Sequence, residues 1–224
     1  MYIHVESLGK PQSVTISQLA NGNGFSLSKS VVSLCYDDES FIIRFQSFEQ
    51  LFYSNVTFDE CNDSVYILDV VESFISPYWQ SESSGPHCYT EIDLSPFDQV
   101  YQSGIVNKNL NHSGVTNFPL NCDESGIQHR VDINDSNPSI WSATVIIPWS
   151  IIANPNGCPT SSNQSDVAEG PISIMRANFY RVNELVPTNK CTSSLCEYTA
   201  WSPTLSDPPA FHEPTKFGYL FLSD

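Results

Sequence analysis

Apolar residues along this chain come in short runs, separated by polar stretches rich in Gly, Pro, Asn and Ser. Residues 31–36 are apolar and β-branched. Asp37, Asp38, Glu39 and Ser40 interrupt the run and residues 41–45 resume it, which predicts a hairpin. Residues 65–75 predict a longer strand and residues 89–94 another, with a loop rich in Ser, Gly and Pro between them. Residues 100–106 read as a weaker strand, and the Asn, Ser and Gly of residues 107–125 as a long loop. Residues 141–147 alternate weakly until Pro148, which has no N–H for a sheet ladder and stops the strand. Residues 148–152 suit one turn of helix. Residues 154–170 form another polar loop, 172–182 a strong strand, and 217–222 the closing one. No stretch keeps a helical period over three turns. Short strands joined by such loops predict an all-β fold, an antiparallel β-sandwich of jelly-roll-like or immunoglobulin-like kind with long polar loops. With no internal repeat and no linker, residues 1–224 read as a single domain.

Charge narrows the partners. There are 9 Lys and Arg against 25 Asp and Glu, a formal net charge of -16. Such a chain repels phosphate backbones and anionic lipid, so neither nucleic acid nor a membrane surface is an expected partner. No apolar stretch approaches the roughly 20 residues that span a bilayer. The opening Met1 to Glu6 has no basic or apolar signal region, so no signal peptide is visible. Seven cysteines and five N-x-S/T sequons, at Asn55, Asn62, Asn111, Asn134 and Asn163, still point to an extracellular or secretory-pathway glycoprotein with disulfides.

Seven is odd, so at least one thiol is free or pairs outside the chain. Cys191 and Cys196 flank a short loop that they can close. Cys61 and Cys88 flank two predicted strands and are expected to bridge them. Cys35 sits in an apolar run and reads as a buried free thiol. No zinc spacing occurs. Nor does a Gly-x-Ser-x-Gly, a phosphate loop or a His-Glu-x-x-His, and no motif marks a facing pair of catalytic carboxylates. The chain is therefore expected to be non-catalytic.

Several segments, in order, resemble the family 9 carbohydrate-binding modules. They are the hairpin from Cys35 to Phe45, the Asp69-Val70-Val71-Glu72-Ser73-Phe74-Ile75 strand, the strand from Tyr89 to Pro96, and the strand from Trp141 to Trp149. The most specific set is C-terminal: Arg176 to Arg181, Trp201-Ser202-Pro203, Phe211-His212-Glu213-Pro214 and Phe217-Gly218. The matched part runs over about residues 30–222. The resemblance implies a β-sandwich that binds oligo- or polysaccharide of plant or microbial type, or its chain ends, and often holds calcium.

The residues themselves suit that chemistry, because sugars are held by aromatic faces and by planar polar groups. Strand alternation puts Arg176, Asn178 and Tyr180 on one face of the strand 172–182, with Met175, Ala177 and Phe179 on the core side. Arg181 shares the core-side parity but lies near the strand end, and the resemblance places it by the site. By resemblance Trp201 is the stacking aromatic; otherwise it plugs the end of the sandwich. Glu72 shares a side with Tyr66, Val70 and Phe74, and is expected to pair with Arg176 or Arg181 while accepting from sugar hydroxyls. Tyr66 offers a second aromatic wall, with Trp79 a looser candidate. The acidic clusters Asp37-Asp38-Glu39 and Asp59-Glu60 with Asp63 suggest structural Ca2+.

A monomer is expected. One alternative is a structural or adhesive extracellular sandwich without sugar affinity; another is an accessory part of a glycoside hydrolase system. A haem-binding sandwich of the related sensor type needs an axial Met or His on a strand face, and Met175 falls on the core side.

Overall fold

The structure is a computed structural model that describes residues 1–7, 11–48, 58–77, 85–134, 136–137, 139–159 and 170–223. Its first strands are β1 (Tyr2–Glu6), β2 (Gln12–Leu19), β3 (Phe25–Tyr36), β4 (Ser40–Phe48), β5 (Val70–Ser76), β6 (Cys88–Leu94) and β7 (Val100–Asn107). Then come β8 (Val115–Pro119), β9 (Gln128–Ile133), β10 (Ile140–Pro148), the short helix α1 (Trp149–Ala153), β11 (Ile174–Glu184), β12 (Cys196–Ala200) and β13 (Gly218–Ser223). The main hydrogen-bonded order is β8-β7-β6-β5-β11-β12-β2-β3-β4-β10-β9, with β13 pairing to β11 and β1. The β1–β13 ladder is parallel; the other ladders between these strands are antiparallel.

Strand β12 meets β2 through two residue pairs, Thr199↔Leu19 and Ala200↔Gln18. On either side of this narrow junction the two halves of the sheet face each other as the layers of a β-sandwich. Phe45 of β4 meets Phe179 of β11 edge to face across the gap, ring centres 6.2 Å apart. Strand β10 shows why the layers close. Trp141, Ala143, Val145 and Ile147 are buried in the core, while Ser142, Thr144 and Ile146 between them are only half-buried. Met175, Ala177 and Phe179 line the same core from β11, as alternation predicts.

Strands β5, β6 and β11 are buried on both faces. Their second face carries its own apolar cluster, in which Phe74, Tyr89 and Tyr180 pack against Phe211 and Phe217 of the C-terminal segment and Val65 of a 3-10 turn at Val65–Ile67.

Most predicted elements are present, with shifted ends. The run at 65–75 divides into the 3-10 turn and β5. The polar stretch 107–125 is not all loop, since it contains β8. Strands β1, β2, β9 and β12 were not anticipated.

The Cys191–Cys196 disulfide forms as expected and Cys35 is free, though half-buried. The expected Cys61–Cys88 bridge does not form. Cys61 pairs with Cys122 and Cys88 with Cys158, at Cα separations of 6.1 and 6.0 Å. Both partners arrive on polar segments brought alongside by tertiary packing, which sequence neighbourhood does not reveal.

Candidate functional site

The site is built on the second face of β5, β6, β7, β11 and β12. Antiparallel register sets its floor. Glu72 on β5 lies opposite Asp93 on β6 and Tyr180 on β11. Asp93 in turn lies opposite Tyr101 on β7, and Glu91 opposite Ser103. Residues paired in this way point to the same side of a sheet, so three carboxyl groups converge. Glu72, Glu91 and Asp93 each offer an oxygen within 4.8 Å of the other two. Their exposures are 3%, 4% and 0%.

Burial in a low-dielectric site penalises the charged form of each group. It holds Glu72 well above the usual carboxylate range, with the Glu91 charge adding to the effect. Glu91 is pushed up to about 8 by burial. Asp93 is raised by burial and then by Glu72 and Glu91. Beside Glu91 stands His212, its Nε2 3.9 Å from Glu91 Oε2 and its Nδ1 2.8 Å from the Tyr89 hydroxyl. Burial lowers the imidazole to about 4, so it is neutral at neutral pH.

The structure brings four of the sequence-predicted residues to this face: Glu72 and Tyr66, and also Asn178 and Arg176, which share the parity of Tyr180 on β11. Tyr66, on the 3-10 turn, is 38% exposed and meets Tyr101 edge to face at 5.2 Å. Arg176, Asn178, Arg181 and Trp201 are nonetheless buried in supporting roles. The Arg176 guanidinium donates from Nε and Nη2 to the Phe217 carbonyl at 3.0 and 2.6 Å and stacks on Tyr219. Asn178 donates to the Ser202 carbonyl and accepts from the Ser202 and Phe179 amides. Arg181 pairs with Asp69, donates to the Val70 carbonyl and lies over the Trp141 ring. Neither arginine therefore neutralises Glu72, contrary to expectation. Trp201 is 6% exposed. Its indole lies on Phe179 at 5.7 Å and so close over Gly218 that a Cβ there would overlap the ring. Trp201 thus sits in the main core rather than offering an open face. Trp79 lies outside the described residues.

In each acidic turn singled out in sequence, one carboxylate is used locally. Asp37 accepts from the amides of Glu39 and Ser40, and Asp63 from those of Asp59 and Glu60.

Where the face reaches solvent, a cleft of about 300 Å³ opens. Tyr198, Glu197, Asp207 and Asn21 supply its polar groups, and Leu185 and Pro209 part of its apolar wall. Tyr198 packs edge to face on Phe211 at 5.9 Å, and the nearby Glu72 charge helps burial to raise its phenol. The cleft and the carboxyl cluster are therefore neighbours. A larger open groove of about 500 Å³ lies outside β4, β10 and β9, lined by Arg44, Arg130 and Asp132 among others. Among the described residues it has no Tyr, Trp or Phe against which a sugar ring would stack.

Sequence reasoning missed Glu91, Asp93, Tyr198 and His212. The signal for the first two was present, since Tyr89, Glu91 and Asp93 alternate along one strand. Tyr198 had none, because the chain folds it in from β12, and His212 lies in a motif, Phe211-His212-Glu213-Pro214, that does not by itself say which residues it meets.

No family model matches the chain. An extracellular protein of Arthroderma benhamiae is 22% identical over 157 residues, covering 68% of this chain and 63% of the relative. The chain thus spans less than two thirds of that relative's length. A candidate carbohydrate-binding protein from Bacteroides uniformis has a similar structure, with TM-score 0.66, 13% identity, and 100% of this chain and 98% of that one covered. A family 9 carbohydrate-binding module from Caldicellulosiruptor kristjanssonii in complex with cellotriose gives TM-score 0.58 at 13% identity, covering 100% and 94%. In complex with glucose, such a module from that organism gives 0.56 at 14%, covering 100% and 96%.

Proposed function

We propose that this chain, which has the fold of the family 9 carbohydrate-binding modules, binds a saccharide without catalysis, in the cleft beside Tyr198. The observation that carries the reading is the composition of that cleft. An aromatic ring, two carboxylates and a side-chain amide surround a space of about 300 Å³, at the small end of the roughly 300–1,000 Å³ range of ligand sites. One or two sugar rings suit it. Tyr198 supplies a face for the C–H side of a pyranose, and Asp207 and Asn21 take hydroxyls, while Glu197 is held in place by accepting from the Ser26 hydroxyl and the Leu27 amide. Glu72 and Tyr66 belong to the face behind the cleft, while Arg176, Asn178, Arg181 and Trp201 hold its frame. Secretion fits the three disulfides and the extracellular relative. An accessory role beside a glycoside hydrolase is compatible with this reading.

Calorimetry against glucose and soluble cello-, xylo- and manno-oligosaccharides tests it. Asp207→Asn is expected to weaken binding about 10- to 100-fold, the loss of a charge-assisted hydrogen bond of about 1.5–3 kcal/mol, and Tyr198→Ala to weaken it at least as much. Binding that survives both changes places the sugar elsewhere. A folded protein that binds none of the sugars supports the second reading, a structural sandwich. Burial of Trp201, Arg176, Asn178 and Arg181, the residues most suggestive of sugar contact in sequence, favours that alternative.

A further inference from the structure

The three converging carboxyl groups raise a separate question, because like charges do not gather in a dry site without compensation. Among the described residues no Lys or Arg pairs with Glu72, Glu91 or Asp93; Arg181 is committed to Asp69 and Arg176 to the Phe217 carbonyl. A second observation concerns hydrogen bonding. Asp93 has no exposed surface, yet neither of its carboxyl oxygens accepts a hydrogen bond, and Glu91 Oε2 likewise accepts none. Buried polar atoms almost always have partners. These orphaned oxygens belong to a cluster in which each of the three carboxyl groups offers one oxygen within 4.8 Å of the other two. Oxygens on opposite sides of one calcium ion stand about 4.6–5.2 Å apart, twice the metal–oxygen distance, and adjacent ligands stand closer.

We propose that Glu72, Glu91 and Asp93 form a binding site for one hard divalent cation of the calcium class. An all-carboxylate donor set selects such a cation over softer metals. The cation supplies the positive charge the pocket lacks and gives each orphaned oxygen a partner. His212 stands beside the cluster, its Nε2 3.9 Å from Glu91 Oε2 and so beyond hydrogen-bond reach, and the Tyr89 hydroxyl fixes its ring. The ligands come from neighbouring strands β5 and β6 at directly opposed or diagonal positions. A bound cation therefore clamps the centre of this layer. The rival explanation is a proton held between Glu91 and Asp93, with no metal.

The experiment uses the full chain, stripped with EDTA, dialysed, and titrated with CaCl2, MgCl2 and MnCl2 in the absence of sugar. Heats of binding, melting temperature and metal content by mass spectrometry are read together. The expected result is one cation per chain and a raised melting temperature, with both responses lost in Asp93→Asn. Glu72→Gln is expected to weaken cation affinity at least tenfold, and it serves as the second variant if Asp93→Asn does not fold. Asp37→Asn, in a turn away from the site, should respond as the parent does. The proposal is overturned if the parent takes up none of the three cations, or if Asp93→Asn or Glu72→Gln keeps the full response. A melting temperature that rises in Asp93→Asn without any metal response also overturns it, in favour of the shared proton. Because no sugar is present, failure here leaves saccharide binding untouched, and failure of saccharide binding leaves the cation site untouched.

Discussion

Asn62 shows how a side chain's hydrogen bonds decide its chemistry. Its Nδ2 donates to the Leu120 carbonyl at 2.7 Å and its Oδ1 accepts from the Gln102 amide at 2.8 Å. Both ends of the amide are used to tie the Cys61 turn to β7 and the segment after β8, so its nitrogen is not presented for modification. Asn134 is exposed, and among the described residues only its Oδ1 is engaged, accepting from the amides of Ser136 and Asn137. Two identical sequons thus have opposite expectations. When the protein is secreted from a eukaryotic host, glycopeptide mass spectrometry should find Asn134 occupied and Asn62 bare. A glycan on Asn62 of the folded protein would contradict this account of its bonding. Arg176, Asn178 and Arg181 carry the same lesson. Sequence identifies them as hydrogen-bonding side chains, but whether they serve a ligand or the fold depends on the carbonyls around them. Those carbonyls belong to residues 70, 202 and 217, which no pattern along β11 reveals.

Among the elements, β3, β4, β5, β6, β10 and β11 were legible because their apolar runs are long or alternate clearly. Strands β9 and β12 were not. Every residue of β9 is exposed or half-buried, so burial imprints little pattern on it. Strand β12, Cys-Glu-Tyr-Thr-Ala, is five residues long and mostly polar. Its strand character comes from pairing with β11, an instance of tertiary context overriding propensity. The candidate site suffers from the same limit, since its acids lie on legible strands but Tyr198 and His212 do not. Trp201 plugs the core against Phe179 and Gly218, so Trp201→Ala should cost about 3–5 kcal/mol, roughly 6–20 °C in melting temperature for a chain of this size. Thermal melts decide between the two roles of this tryptophan. A variant that melts like the parent but binds no sugar would restore Trp201 as a ligand contact.

At the scale of the whole molecule, buried carboxylates couple stability to pH. Glu184 at the end of β11 is 2% exposed, and burial, then the neighbouring Asp69, push it up to about 7. Asp69 is itself raised, chiefly by burial. Each binds a proton more tightly folded than unfolded. The stability they contribute is complete below about pH 4, near their unfolded values, and for Glu184 it is lost as pH rises through about 7. The protein is therefore expected to melt at higher temperature near pH 5 than near pH 8. Glu184→Gln should flatten part of that decline, and melting curves across this range provide the check. A slope as steep as the parent's would show that Glu184 is not responsible.

The parallel ladder between β1 and β13 has a mechanical meaning. Its pairs run from Tyr2↔Tyr219 to Glu6↔Ser223, so the first strand and the last lie side by side and point the same way. Tension applied at the start of β1 and the end of β13 pulls the two strands along their length in opposite directions. The ladder is then loaded in shear, with its hydrogen bonds strained together rather than peeled apart one by one. A sandwich tied in this manner resists stretching between those two points most strongly at its outset.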